Sequence, residues 1–344
     1  MKNNLLKLFG ISLLVLCSCK DNTPIYKIHN ELQDNYLAGD YTNYSAYVNG
    51  QSENSKPEPM KIDLEGIDVG SKIVTYEGDK EIDSFNYEAN SSSYDLYNLK
   101  IGTKYKTVIS KDSVDVKTIE YKIDDIAPRN LFVEGVTNCR DLGGWKIDKK
   151  NRVKQGMIYR TAKYNDDEST ELLISSNGIN TIKNTFGIKT EIDLRKTSDN
   201  ENGGITSSPL GDEVKYISYP MVSIGNVLTL NKTRLKDLFN YFADEANYPI
   251  AFHCSIGTDR TGLVAFLLNG VLGVSKEDLY RDYLFSNFGL IYNMRTAKTI
   301  DEYLTTIEAS SGDKLKDKFY NYLTSVGVSS LSLDKIKNIM IEKY

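Results

Sequence analysis

At 344 residues, with 40% hydrophobic and 26% charged side chains, the chain has the composition of a folded protein and the length of two domains rather than one. Its net charge of −5 leaves no electrostatic footprint for nucleic acid. Only two histidines occur, His29 and His253, so a Ser-His-Asp triad or a histidine-built zinc site would have to use one of them, and His29 stands in a poor context near the N-terminus.

Residues 1–19 have the form of a secretory leader: Lys2 and Lys7, the apolar run Leu8 to Leu16, then small residues. The ending Leu16-Cys17-Ser18-Cys19 resembles a bacterial lipoprotein signal, which implies cleavage before Cys19 and acylation of that cysteine; the alternative is an ordinary cleaved leader. With Cys17 and Cys19 in the leader, only Cys139 and Cys254 remain for the folded body, so the cysteines do not make a disulfide framework. Residues 20–35 read as a polar tether. Between 36 and 125, short alternating runs such as Ser71 to Tyr76 and Lys104 to Ile109 are separated by Gly, Asn, Asp and Ser, and predict an all-β domain. Within it Leu99, Gly102 and Tyr105 fall three apart, a pattern that resembles the tyrosine corner of fibronectin type III and related sandwiches. The expectation is a small β-sandwich that spaces or docks the next domain, the alternative an unrelated β-domain of the same size.

Ile126 to Asn130 reads as a linker, and from 130 to 344 the pattern alternates strand and helix. Strands are predicted at 190–194, 214–219 and 250–253, and helices at 167–176, 231–246, 262–272, 276–287, 297–309, 313–325 and 332–342. This is an α/β pattern: a mainly parallel central sheet flanked by helices, with its ligand crevice beyond the carboxyl ends of the strands. Both Asp193-Leu194-Arg195 and the loop that begins at Cys254 fall at such ends.

That loop runs His253-Cys254-Ser255-Ile256-Gly257-Thr258-Asp259-Arg260-Thr261-Gly262 from a buried strand into an apolar helix. Backbone N–H groups and the helix dipole favour an anion there, and the same field lowers the pKa of a thiol. Arg260 offers a planar fork for two phosphate oxygens, and Gly257 permits a turn that brings successive N–H groups inward. The Thr261 hydroxyl can donate to the Cys254 sulfur, while His253 would orient the loop through hydrogen bonds. The bland alternative, a structural cysteine in a strand-to-helix turn, does not explain why the arginine, threonine and glycine coincide with it.

The run His253-Cys254, five residues, Arg260-Thr261 resembles the signature of the cysteine-dependent tyrosine and dual-specificity phosphatases. With Asn138-Cys139-Arg140-Asp141-Leu142-Gly143-Gly144, Tyr159-Arg160-Thr161-Ala162 and Asp193-Leu194-Arg195, the chain resembles the bacterial atypical tyrosine and lipid phosphatases. The resemblance implies a phosphocysteine intermediate on Cys254, a phosphate held by Ser255, Ile256, Gly257, Thr258 and Arg260, and no metal or cofactor. The region Tyr219 to Asn226, where other branches carry an acid, has none, so Asp259 is the expected proton donor and Asp193 the runner-up. Arg140 and Asp141 are expected to brace the loop, and Arg160 and Arg195 to add positive potential or to brace it as well. Thr258 stands where that branch usually has lysine, which shifts the expected substrate from phosphoinositides toward phosphotyrosine proteins or other monophosphate esters. Two other classes compete: a rhodanese-type sulfur transferase, whose loop lacks the Arg-Thr-Gly exit, and a surface-binding lipoprotein with an inactive phosphatase fold. The expected location is that of an exported bacterial lipoprotein, anchored by its N-terminal lipid on the periplasmic or outer side. Whether Cys139 pairs with Cys254 is left open.

Overall fold

The computed structural model describes residues 22–48, 56–88, 91–165, 173–198 and 201–344. The leader, Cys17 and Cys19 lie outside these, as does most of the helix predicted at 167–176. None of the described helices is long and apolar enough to cross a membrane.

The N-terminal half carries β1 (Ile25–Tyr26), α1 (Glu31–Ala38), α2 (Ser45–Val48), β2 (Met60–Asp63), β3 (Lys72–Glu77), β4 (Lys80–Asn86), β5 (Ser93–Leu96), β6 (Lys104–Lys111) and β7 (Val114–Ile123). Five strands form one sheet in the order β1-β7-β6-β3-β4, and β2 and β5 pair separately. Side chains from both groups, among them Ile62, Ile73, Leu96, Tyr105, Ile109 and Tyr121, share one apolar core. Successive side chains along a strand point to opposite faces, as the buried-exposed alternation along β2 and the start of β6 shows. The Tyr105 hydroxyl accepts the Lys100 N–H at 2.7 Å, a tie of the kind that the Leu99-Gly102-Tyr105 spacing suggested.

Two expectations need correcting at the N-terminal edge. The stretch 20–35 is not a free tether throughout, and 36–48 is not β structure. Asn30 and Gln33 form a reciprocal capping box that starts α1. Tyr36, Leu37, Tyr44 and Val48 then bury themselves in the core of the C-terminal half, and the Tyr44 hydroxyl donates to the Asn287 carbonyl at 2.9 Å. Aromatic burial of this size outweighs the local polarity that suggested a tether.

The C-terminal half is built on a second five-stranded sheet, ordered β12 (Lys215–Ser218), β11 (Thr190–Asp193), β13 (Ile250–His253), β10 (Ile158–Thr161) and β8 (Arg140–Asp141). The contacts β12–β11, β11–β13 and β13–β10 are parallel, and β8 is antiparallel to β10. Away from this sheet, β9 (Asn151–Val153) pairs with β14 (Ile341–Lys343) near the end of the chain. The helices are α3 (Ser176–Asn180), α4 (Val227–Leu230), α5 (Lys232–Phe242), α6 (Asp259–Leu272), α7 (Lys276–Phe285), α8 (Lys298–Glu308), α9 (Leu315–Ser325) and α10 (Ser330–Met340). Every residue of α6 after Asp259 is buried, because its apolar side chains run round the whole circumference and neighbouring helices cover them. At Gly270 the ring of Phe319 approaches so closely that a β-carbon would strike it. The central strand β13 therefore feeds the most deeply buried helix of the fold, and the Cys254 loop joins the two.

The halves meet through a buried ion pair. Arg129 donates Nη1 to Asp141 at 2.9 Å, Nε to the Leu99 carbonyl at 3.0 Å and Nη2 to the Asn98 carbonyl. Asp141 also accepts the N–H groups of Gly143 and Gly156 at 2.8 and 2.6 Å. Asp141 thus fastens the β half to the sheet edge and does not touch the Cys254 loop, contrary to the expectation that it braces the loop.

Candidate active site

The loop 254–258 owes its shape to a layer of charged side chains beneath it. Gly257 has φ +70, a conformation natural to glycine, and a β-carbon there would sit 2.5 Å from the Thr161 carbonyl oxygen. Its own carbonyl accepts Nη2 of Arg160 at 2.9 Å. Asn138 donates Nδ2 to the Ile256 carbonyl at 2.9 Å and to Thr258 Oγ1 at 3.2 Å. Arg140 holds Asn138 in place through Nη1 at 2.5 Å. One carboxylate then joins the two arginines: Asp282 on α7 accepts Arg140 Nε at 3.1 Å and Arg160 Nη1 at 2.5 Å. With the carbonyls of Ile256 and Gly257 drawn outward, the backbone N–H groups of the turn are left for an anion. Arg140 and Arg160 are therefore braces that share one carboxylate, Asp282.

Cys254 sits buried above this layer, at the N-terminus of α6. Burial alone would raise its thiol pKa, but the Arg260 guanidinium and the Thr261 hydroxyl and N–H outweigh it, and the thiol falls below its ordinary value. Thr261 Oγ1 is buried and has no full hydrogen bond among the described residues, so its hydroxyl remains available to the sulfur. Cys139 shows the opposite behaviour: burial pushes its thiol up to about 12. Both thiols are free in this structure.

His253 is fully buried, with Nδ1 3.2 Å from the Cys254 carbonyl oxygen and Nε2 2.9 Å from Glu191 Oε1. Burial disfavours its charge, yet Asp193 and Glu191 outweigh that and raise its pKa. An imidazolium donating from both nitrogens fits these two acceptors, so His253 fixes the loop and has no lone pair for proton abstraction.

Asp193 is not the acid that the sequence offered as runner-up. Its carboxylate accepts from Arg195 N–H, Nε and Nη2 at 2.9, 3.0 and 2.7 Å and from the Tyr216 hydroxyl at 3.0 Å. Burial would raise its pKa, but His253 and Arg195 more than reverse this and lower it, so it holds no proton at neutral pH. Arg195 is consumed by the same pair and adds no free charge to the loop.

Asp259 opens α6, and Arg295 grips its carboxylate with Nε at 2.8 Å and Nη2 at 2.9 Å. Asn287 positions that arginine by accepting its N–H and donating to its carbonyl. The pair occupies both oxygens of the Asp259 carboxylate. Thr258 is wholly buried, and its hydroxyl is used in the brace with Asn138 and the Ile256 carbonyl.

Arg260 has a partner that sequence reasoning missed. Glu201, on the loop after β11, takes Nη1 at 2.9 Å and also Nη2, and accepts the Ser255 hydroxyl at 3.1 Å. Although burial opposes it, hydrogen bonds from Arg260 and the Lys196 N–H hold Glu201 down at about 2. Arg260 Nε is buried without a partner among the described residues. The guanidinium is thus held on its Nη edge and keeps its Nε–H unused. Glu201, Asp282 and Arg295 belong to no local motif; each reaches the loop from a segment whose sequence spacing carries no signal.

The model of the tyrosine phosphatase family matches residues 131–342. A candidate tyrosine-protein phosphatase of Cupriavidus necator is 25% identical over 183 residues, covering 46% of this chain and 63% of that protein. A tyrosine-protein phosphatase of Nostoc commune is 34% identical over 56 residues, 16% of this chain and 19% of that one. The chain thus spans less than two thirds of the length of these curated relatives. Among solved structures, the core catalytic domain of the PP-IP phosphatase SIW14 of S. cerevisiae, crystallised with citrate, is 18% identical, with TM-score 0.32 over 48% of this chain and 89% of that one. P. aeruginosa TpbA is also 18% identical, with TM-score 0.32 over 50% and 91%. Since the family match covers well over half of its residues, the chain belongs to the tyrosine phosphatase family.

Proposed function

We propose that this protein hydrolyses phosphomonoesters, phosphotyrosine in proteins first among them, through a phosphocysteine intermediate on Cys254. The observation that carries the reading is a buried thiol whose pKa is lowered by the first turn of α6, with Arg260 in that same turn. The thiolate attacks phosphorus, an S–P bond forms as the P–O bond to the tyrosyl oxygen breaks, and that oxygen takes a proton. Water then cleaves the S–P bond, releasing inorganic phosphate and restoring the cysteine. Arg260 and the loop N–H groups of Ser255 to Thr258 stabilise the charge on the equatorial oxygens. Asp259 serves as proton donor once the phosphate draws Arg295 away from it; both side chains are partly exposed, which supports such an exchange.

Phosphoinositide hydrolysis is the weaker reading, because the buried Thr258 supplies no charge at the loop mouth. An inactive, purely binding role is weaker still, since nucleophile, clamp and hydroxyl are all present. The test is phosphate release from a phosphotyrosine peptide and from phosphoinositide vesicles by wild type and Cys254→Ser. Peptide turnover lost in the variant supports the reading. Equal rates in the two proteins would sink the nucleophile, and faster vesicle turnover would sink the substrate.

The same reading extends to the rest of the chain. We infer that residues 1–19 act as a lipoprotein signal with Cys19 acylated, anchoring the enzyme on the periplasmic or cell-surface side of a bacterial membrane. The β half is a fibronectin type III-like sandwich, a reading supported by the Tyr105 tie, and 130–344 is the catalytic domain. Intact-mass measurement of the membrane-extracted protein tests the lipid: a mass lacking acyl chains on Cys19 would remove it.

A further inference from the structure

One group of ligand-type side chains takes no part in the proposed chemistry. His29 lies just before the cap of α1, Asp34 in the first turn of α1, and Asp124 directly after β7. One nitrogen or carboxylate oxygen from each falls within 4.8 Å of the others. His29 Nε2 is 2.8 Å from the Pro128 carbonyl oxygen, which fixes the ring proton there and leaves the Nδ1 lone pair bare. That ring is wholly buried, and Nδ1 has no hydrogen-bond partner among the described residues. Asp34 divides its oxygens: Oδ2 accepts Lys27 Nζ at 2.5 Å, while Oδ1 is buried, unpartnered and 3.9 Å from His29 Nδ1. Both oxygens of Asp124 are buried and unpartnered as well.

Three acceptor atoms, one each from His29, Asp34 and Asp124, therefore face one small volume with no hydrogen-bond partner among the described residues. Leaving each unsatisfied is costly. A water molecule has two hydrogens and satisfies only two of the three. A cation satisfies all of them. Oxygens from two carboxylates and a nitrogen from one imidazole form a donor set that selects a borderline transition ion over calcium or magnesium. Ligands at about 2.0–2.2 Å from a shared zinc ion stand roughly 3.5 Å apart, which needs only a small contraction of the observed cluster. The Pro128 carbonyl on the far ring nitrogen is the usual outer partner of a metal-bound histidine.

We propose that His29, Asp34 and Asp124 bind a divalent transition-metal ion, zinc or manganese, at the junction of the two halves. The ion would join the start of α1, the end of β7 and, through Pro128, the segment leading into the catalytic half. The His29 ring also lies edge-on to Phe285 of α7, 5.8 Å between centroids, so the site rests directly on the catalytic half. The scarcity of histidine argued against a metal, but three ligands so far apart in sequence leave no spacing pattern to read. The assignment is independent of the phosphatase reading.

The test uses the full chain carrying Cys254→Ser, so that the thiolate, itself a metal ligand, is silent. After chelator treatment, zinc chloride and manganese chloride are titrated separately by calorimetry. One ion per chain is expected for at least one of them. At a hundredfold excess over Kd the folded state gains about 2.7 kcal/mol, which raises the melting temperature on the order of 5 °C. Asp124→Asn and Asp34→Asn, both nearly isosteric, should each weaken binding at least tenfold and remove the shift. Absence of stoichiometric binding for both ions, or wild-type affinity in Asp124→Asn, overturns the assignment.

Discussion

Asp282→Asn is the most direct probe of the layer beneath the Cys254 loop. Asp282 is buried, and so are the two guanidiniums it joins, with Arg140 1% and Arg160 0% exposed. The substitution keeps the shape and one acceptor oxygen but removes the only charge at Asp282 that balances both arginines. A charge-assisted hydrogen bond contributes about 1.5–3 kcal/mol, and breaking a buried ion pair costs about 3–5 kcal/mol. With one acceptor retained, the expected loss is about 3 kcal/mol. The single tryptophan, Trp145, is buried in the catalytic core, so its fluorescence during urea unfolding reports on the half that contains the brace. Activity should fall too, because Arg160 holds the Gly257 carbonyl and Arg140 reaches the Ile256 carbonyl through Asn138. A loop displaced by about 1 Å costs on the order of a hundredfold in kcat/KM. The pH dependence has a definite sign. Burial would raise the Asp282 pKa, but Arg160 and Arg140 overcome this and depress it below the ordinary 3.8. Its stabilisation is complete above that value and is lost as pH falls through the depressed one, so the gap between wild type and variant should close only in acid. A variant within 1 kcal/mol of wild type at pH 7, with kcat/KM within threefold, would refute the bracing argument.

Three further outcomes follow from the same geometry. Gly257→Ala places a β-carbon against the Thr161 carbonyl at φ +70; it should cost about 1–3 kcal/mol and abolish most phosphotyrosine turnover, and near-normal kcat/KM would contradict the loop geometry. Glu201→Gln removes an anion held against Arg260; competitive inhibition by inorganic phosphate should tighten about threefold to fivefold, and weaker inhibition would show that Glu201 orients the clamp instead. Asp259→Asn should lower turnover of phosphotyrosine by about 10²–10³ while sparing an aryl ester with an activated leaving group; equal losses on both would exclude it as proton donor.

The α/β half was readable in sequence because its signals are local. The strands at Thr190–Asp193, Lys215–Ser218 and Ile250–His253 and the helices that follow are short apolar or periodic runs between breakers. The apolar pattern starts α6 at 262, three residues late, since its first turn is polar and belongs to the phosphate loop. Residues 31–48 carry no such local signal: Tyr36 and Tyr44 bury in the core of the other half, Tyr44 bonding Asn287, and only the Asn30–Gln33 cap marks a helix. The nucleophile and clamp stood out because one loop carries both. Partners supplied by other segments, Glu201, Asp282 and Arg295, left no trace that spacing could show.

Counting arginines in the motifs suggests a strongly cationic loop, and the pairing reverses that impression. Arg140 and Arg160 share Asp282, Arg195 is taken by Asp193, Arg260 by Glu201 and Arg295 by Asp259. These pairs are not equivalent. Asp193 and Asp282 are buried with their arginines and would leave uncompensated charge in the interior if displaced. Glu201 and Asp259 keep 31% and 35% of their side-chain exposure, so water can take over their charge when they leave. An incoming phosphate can therefore win Arg260 and Arg295 but not Arg140, Arg160 or Arg195. The inner pairs set the shape of the loop, and the outer pairs occupy Arg260 and Arg295 until substrate displaces them. The lowered pKa of Cys254 accordingly depends on Arg260 and on Thr261 at the start of α6, not on the net charge of the surrounding side chains.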